Sequence, residues 1–154
     1  MTAEEQRLRE DLADLAASEQ GRKLLQLSLR GLGRGEHELT AGCWVKRGIA
    51  GCLFQHAYWE GVREGIFADE GRPGDWIGSF VGAHDYGIVI RAIASFDRLA
   101  RTDYSDVEPR TLRPAKVRLR QSEWNAAVER VLVAVLDGTD SGNSSDKHAV
   151  SVTT

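Results

Sequence analysis

Leucines recur at helical spacing near the start of the chain, where Leu8, Leu12 and Leu15 would share one face of a helix. Thr2 and Glu5 have the spacing of a capping box, in which each side chain binds a free backbone amide of the first turn. The pattern therefore predicts an amphipathic helix that begins directly after Thr2.

A second helix is predicted after Ser18, which has the character of an N-cap residue. Its leucines continue at helical spacing, and the glycine-rich run that starts at Gly31 would end it and form a connector. The alternative is one kinked helix over residues 3–30, with Gly21 as its weak point because glycine disfavours helix interiors.

Helical periodicity returns in the second half of the chain. The predicted helices there cover residues 52–66, 75–81, 85–100 and 122–137. The stretch 85–100 has a wide apolar face that includes Ile90, and we expect it to be the central, most buried helix. We predict an all-α fold, a single-domain bundle of about five helices in residues 1–138, with one short β-hairpin possible. Residues 139–154 are polar and lack apolar periodicity, which predicts a disordered C-terminal tail.

Composition narrows the class of protein without naming an activity. The 154 residues are 42% hydrophobic and 28% charged, with a net charge of −3, as in ordinary globular proteins. This balance excludes collagen-like and disulfide-scaffold classes and gives no overall positive field for nucleic acid or anionic lipid. No apolar run approaches the roughly 20 residues of a membrane helix, and the N-terminal stretch is charged. We therefore expect a cytoplasmic protein with no membrane partner.

Both cysteines lie in one short segment in which Ala-Gly-Cys occurs twice. If Arg47 and Gly48 form a two-residue hairpin loop, Cys43 faces Cys52 across the strands. Counting outward from the loop places them at a non-hydrogen-bonded pair, where Cα atoms approach to about 4.5 Å. A disulfide accepts that distance, so a redox pair is one interpretation of the segment.

Zinc binding is a second interpretation of the same segment. His56 follows Cys52 by four residues, so both side chains would project from one face of a helix. Cys43, Cys52 and His56 would supply three zinc ligands, with His84, His37 or water as the fourth. We expect no cofactor, and zinc at these residues is the alternative.

Ordinary packing is the third interpretation. Cysteine is among the residue types most often buried, and both cysteines follow a glycine. In this interpretation His56 pairs with Glu60, which lies one turn further along the helix.

Cys52 and His56, with three residues between them, also resemble part of the thiol site of the alkylhydroperoxidase D-like, carboxymuconolactone-decarboxylase family. That family places a Cys-x-x-Cys immediately before x3-His and an acidic residue upstream. Here the position of its first cysteine is Ile49, and Glu36 or Glu38 matches the acid only approximately. The resemblance implies a small all-α fold and a thiol site without the resolving cysteine.

A basic segment follows the acidic stretch 103–108. Its cationic residues are Arg110, Arg113, Lys116, Arg118 and Arg120. Pro109 and Pro114 would keep it extended, and the alternation over 116–120 is compatible with a short edge strand. We expect these side chains to form surface ion pairs with the neighbouring acids. Binding of phosphate or nucleic acid is the alternative, although no recognition helix or aromatic array accompanies the charges.

No complete catalytic motif is present in the sequence. Residues 36–38 form a Glu-His-Glu cluster that we expect to be solvated in a loop, and Glu60 and Glu64 are expected on a charged helix face.

We therefore expect a non-catalytic helical protein that binds a partner protein or self-associates. Large apolar side chains near the glycine-rich middle, such as Trp44, Trp59 and Trp76, support this hypothesis. A thiol-redox or metal site at Cys43, Cys52 and His56 is the first alternative. Nucleic-acid or phosphate binding through the basic segment is the second.

Overall fold

The structure is a computed structural model that describes residues 1–42, 44–46, 48, 50–70, 72–104 and 115–147, with the backbone alone at Lys46, 115–120 and 139–147. Within these residues the chain forms six helices and one small sheet. The helices are α1 Ala3–Ala16, α2 Glu19–Arg34, α3 Leu53–Arg63, α4 Pro73–Val81, α5 Ala83–Asp103 and α6 Ala115–Lys147. The strands are β1 Glu38–Leu39, β2 Val45–Lys46 and β3 Ala50–Gly51. The prediction of an all-α fold with a small β element is confirmed.

The first two helices are separate, as their capping residues predicted. Thr2 and Glu5 form the complete capping box of α1, and the Ser18 side chain accepts a hydrogen bond from the Gly21 amide. The single kinked helix is therefore wrong. The second helix also extends beyond Gly31, because Gly35 rather than Gly31 adopts the left-handed conformation that ends it (φ 68°).

The core lies where α1 packs against α5 and α6, and where α2 packs against α3. Trp124 of α6 is 1% exposed and stacks on Phe96 of α5, with ring centroids 5.5 Å apart. The same core contains Leu8, Leu12, Leu15, Leu24, Leu25, Phe54, Val128 and Leu132. Apolar burial along these stripes is the main source of stability.

The hairpin exists, but its register differs by one residue from the prediction. Val45 pairs with Gly51 and Lys46 with Ala50, which leaves three residues in the loop instead of two. Gly48, at the middle of that loop, has a φ of 71°, a conformation that glycine adopts readily. Trp44 therefore lies opposite Cys52, whose amide donates to the Trp44 carbonyl over 2.9 Å. The pairing that placed Cys43 opposite Cys52 is wrong, and Cys43 itself lies outside the described residues.

The sheet has a third strand that the sequence did not predict. β1 pairs in parallel with β3, so the strand order is β1-β3-β2. Residues 36–38 were expected to form a loop, yet Glu38 belongs to β1. The Gln121 side chain of α6 donates to the Leu39 carbonyl over 3.2 Å and ties this strand to the bundle.

α6 begins earlier and ends later than predicted. Residues 116–120 have helical backbone, so neither the extended segment nor the edge strand forms there, and Ser122 lies inside the helix rather than at its N-cap. Val117, Gln121 and Trp124 have helical spacing, which explains why the stretch joins the helix. The helix continues past the predicted end at residues 137–138 to Lys147, and residues 148–154 lie outside the described part of the chain.

None of the helices within the described residues has the length and apolar character needed to cross a membrane.

Candidate functional site

Cys52 and His56 do not share a helix face. Cys52 is the N-cap residue of α3 and has extended backbone (φ −71°, ψ 177°), so helical spacing does not apply to its side chain. It is 3% exposed and lines a cavity of about 170 Å³. The other lining residues are Gly42, Trp44, Ile93 and Asp97. His56 lines a different cavity, so the two side chains do not converge on one metal position.

Of the other predicted ligands, Cys43 lies outside the described residues, and His37 lines the same cleft as His56. His84 is exposed in the first turn of α5, and His37 stacks on Trp59 with ring centroids 3.9 Å apart. Among the described residues, no three side chains of His, Cys, Asp or Glu are grouped to hold a metal ion.

His56 is a buried, neutral histidine. Its side chain is 2% exposed, and Nε2 lies 3.2 Å from the Glu38 carbonyl oxygen, to which a protonated Nε2 donates. Burial lowers its pKa from 6.5 to about 4, because a charged ring loses its hydration there. The expected pairing of His56 with Glu60 is wrong, since the ring faces the β1 backbone instead.

Glu60 is buried, whereas the sequence placed it on a charged helix face. It is 1% exposed, and Arg34 donates to both of its oxygens, Nε to Oε1 over 2.5 Å and Nη2 to Oε2 over 2.9 Å. This two-point hydrogen bonding from Arg34 lowers the pKa of Glu60 to about 2. Glu64, one turn later, forms an exposed pair of the same geometry with Arg30. Two arginines of α2 thus hold two glutamates at the end of α3.

A cleft of about 330 Å³ lies between these groups, and its charges balance. Arg63 donates to Glu36 over 2.6 Å, so Arg34, Arg63, Glu36 and Glu60 form two compensated pairs around it. Trp59 lies beside His56 edge to face, with ring centroids 5.4 Å apart. These two ion pairs connect α2, α3 and the segment that begins at Glu36 around the cleft.

The outward face of α5 has a different character. Its inward side buries Val89, Phe96 and Leu99, yet Ile90, which the sequence assigned to the same wide apolar face, is 49% exposed. Gly87 and Ala94 are also exposed and lie within one turn of Ile90. Solvent-facing positions of a helix ordinarily carry polar side chains.

Aromatic and basic residues border this outward face. Tyr86 and Ile93 are half-buried on the same stripe, and half-buried Trp44 lies with Ile93 on the cavity above Cys52. Further along the helix Arg98 and Arg101 are exposed. We call Tyr86, Gly87, Ile90, Ile93 and Ala94, with Arg98 and Arg101 at their C-terminal end, the α5 face.

The predicted anion-binding segment is only partly described. Arg110 and Arg113 lie outside the described residues, and Lys116, Arg118 and Arg120 are described by their helical backbone alone. The sequence indicated a wide apolar face on α5 but predicted that it would be buried, and Ile90 is exposed instead. The Arg34–Glu60 pair joins residues 26 apart and left no local pattern that could predict it.

Comparison of the chain with protein-family models, curated protein sequences and solved structures finds no match.

Proposed function

We propose that the protein is a non-catalytic, cytoplasmic module that binds another protein through the α5 face. The observation that carries the proposal is Ile90, which is 49% exposed at the centre of a helix surface with glycine and alanine on either side. The free energy decreases when a partner covers apolar area on a water-facing helix.

The chemistry of the face indicates the kind of partner. Gly87 and Ala94 present almost no side chain, which allows the backbone of another helix to approach closely. Ile90 would fill a hole between side chains of that helix, as in helix-in-groove recognition. Arg98 and Arg101 extend the face with positive charge. The partner that fits is an amphipathic helix with apolar residues on one side and acidic residues near one end.

The geometry favours this proposal over a thiol or metal function. Cys52 and His56 line separate cavities, and the cleft beside His56 contains compensated ion pairs. A nucleophile with an adjacent base, which thiol catalysis requires, is not formed by these two described residues.

We expect a photo-crosslinking amino acid at position 90 to yield one discrete adduct when the full chain is expressed in its native cell. Position 66 is the matched control, because Ile66 is 44% exposed on a different surface. Mass spectrometry of the adduct should identify an amphipathic, acidic helical segment. Equal adducts from positions 66 and 90, or adducts with segments of no common character, would contradict the proposal.

The affinity of the protein for a synthetic peptide of the identified segment can then be measured for each variant. Ile90→Asp should weaken its binding about tenfold or more, because it removes a central apolar contact and places a carboxylate against an acidic partner. Arg98→Glu with Arg101→Glu should also weaken binding and reduce its dependence on salt. Ile66→Asp should bind as the wild type does, and circular dichroism confirms that each variant is folded.

A further inference from the structure

The outward side of α6 carries a second uncovered stripe. Ala126, Arg130, Val133 and Asp137 follow one another at steps of three or four residues, and Ala134 lies four residues after Arg130, so all five lie on one helix face. Ala126 and Ala134 are half-buried, and the other three are exposed, Val133 to 42%. The opposite side of the helix holds the buried core residues Trp124, Val128, Leu132 and Val135.

A groove runs beside this stripe, between α6 and the start of α1. Its volume is about 660 Å³, and alanine and valine side chains of α6 form most of its wall. Met1, at its edge, is 67% exposed. The rim carries both signs of charge, because Glu129, Arg130 and Glu5 all contribute to it. Arg130 remains 69% exposed although its Nη2 lies 3.9 Å from a Glu5 carboxylate oxygen.

We propose that a second copy of this chain covers the stripe, with the two α6 helices antiparallel about a two-fold axis between Val133 and Ala134. Arg130 and Asp137 lie at equal distances on either side of that point. The axis therefore brings Arg130 of each copy against Asp137 of the other, and Val133 against Ala134. A two-fold interface must be self-complementary in this way.

The charge order selects this orientation and this occupant. In a parallel pair Arg130 would meet another Arg130 and Asp137 another Asp137, and like charges at such positions repel. In the antiparallel pair both ion pairs form, and the small side chains of Ala126 and Ala134 allow the helix axes to approach. α6 has 33 residues and is about 50 Å long, compared with 14 residues for α1.

Sedimentation equilibrium on the full chain tests the proposal. We expect the wild type to dimerise, and Arg130→Asp or Asp137→Arg alone to raise the dimer dissociation constant about tenfold or more, because two attractive pairs become repulsive. The double variant Arg130→Asp/Asp137→Arg should recover dimerisation, since it restores both pairs with exchanged signs. An equimolar mixture of the two single variants should form a heterodimer for the same reason.

Arg98→Asp is the matched control, because it reverses an exposed arginine on the α5 face and should leave the dissociation constant unchanged. It also separates this inference from partner binding, which that substitution weakens. The proposal is overturned if the wild type sediments as a monomer throughout the micromolar range, if the single charge reversals dimerise as the wild type does, or if the double variant fails to recover. The substituted positions are solvent-exposed, so we expect every variant to keep the wild-type circular dichroism spectrum.

Discussion

Gly31→Ala is expected to destabilise the protein by about 3 kcal/mol, an effect of the size seen when a packed interior receives extra atoms. A Cβ atom at this position would lie 2.4 Å from the carbonyl oxygen of His56 and 3.0 Å from its carbonyl carbon. Both are backbone atoms of α3, which cannot rotate away as a side chain does. α2 and α3 would have to separate, and this would strain the nearby pair between Arg34 and Glu60.

Gly33→Ala is the matched control, two residues further along the same helix. A Cβ atom there would meet nothing within 4 Å. Alanine is the better helix former, so this variant should gain about 0.5–1 kcal/mol. Urea denaturation of the wild type and the two variants measures both changes. Equal shifts in the same direction for the two substitutions would show that the close approach of α2 and α3 does not control the effect.

The second large effect is a loss of stability in mild acid, caused by His56. The folded pKa of His56 is about 4, below its ordinary value of 6.5. Between these values the unfolded chain binds more protons than the folded one, so the free energy of unfolding falls as pH decreases from 6.5 towards 4. A difference of this size corresponds to about 3 kcal/mol when the titration is complete. The stabilising contribution is fully present above pH 6.5.

Glu60 adds to this loss at lower pH. Its folded pKa of about 2 lies below the ordinary 4.5, so its contribution is present above pH 4.5 and is lost as pH falls from 4.5 towards 2. The two groups thus act in successive pH ranges and in the same direction.

Denaturation midpoints at pH 7.5, 6 and 5 measure the histidine contribution. His56→Gln should be less stable than the wild type at pH 7.5 and should lose less stability between pH 7.5 and 5. His84→Gln is the control, because it makes the same substitution at an exposed histidine. A wild-type slope that persists in His56→Gln would show that another group causes the acid sensitivity.

Local features of the sequence were sufficient to predict the N-terminal helices. The capping box at Thr2 and Glu5 and the N-cap at Ser18 are formed by residues within a few positions of one another, and the structure contains both. The end of α2 was misplaced because any glycine in the 31–35 run suits a helix end, and only the fold makes Gly31 a contact point with α3.

The sequence predicted the hairpin but gave it the wrong register. Arg47-Gly48 indicated a turn, but the same residues fit a two-residue or a three-residue loop, and the strands are too short to select one by their own pattern. The start of α6 was missed for a similar reason. Alternation over 116–120 fits a strand, while Val117, Gln121 and Trp124 fit a helix, and burial of Trp124 against Phe96 supports the helical spacing.

The candidate site depended most on tertiary structure. Cys52 and His56 are four residues apart in sequence, but the extended backbone at the N-cap directs the cysteine to another cavity. The sequence around Glu60 is typical of an exposed residue. Its burial is stable because Arg34 of α2 donates hydrogen bonds that offset the lost hydration of the carboxylate.

The sequence by itself determined the helical class, the caps of the first two helices and the excess apolar width of α5. These properties arise from periodicity and from hydrogen bonds between near neighbours, which one chain segment specifies alone. The tertiary structure decided which apolar residues the bundle covers and which it leaves in water. Ile90 lies on the apolar face that the sequence predicted to be buried, and it becomes a surface residue because α1 covers only one side of α5.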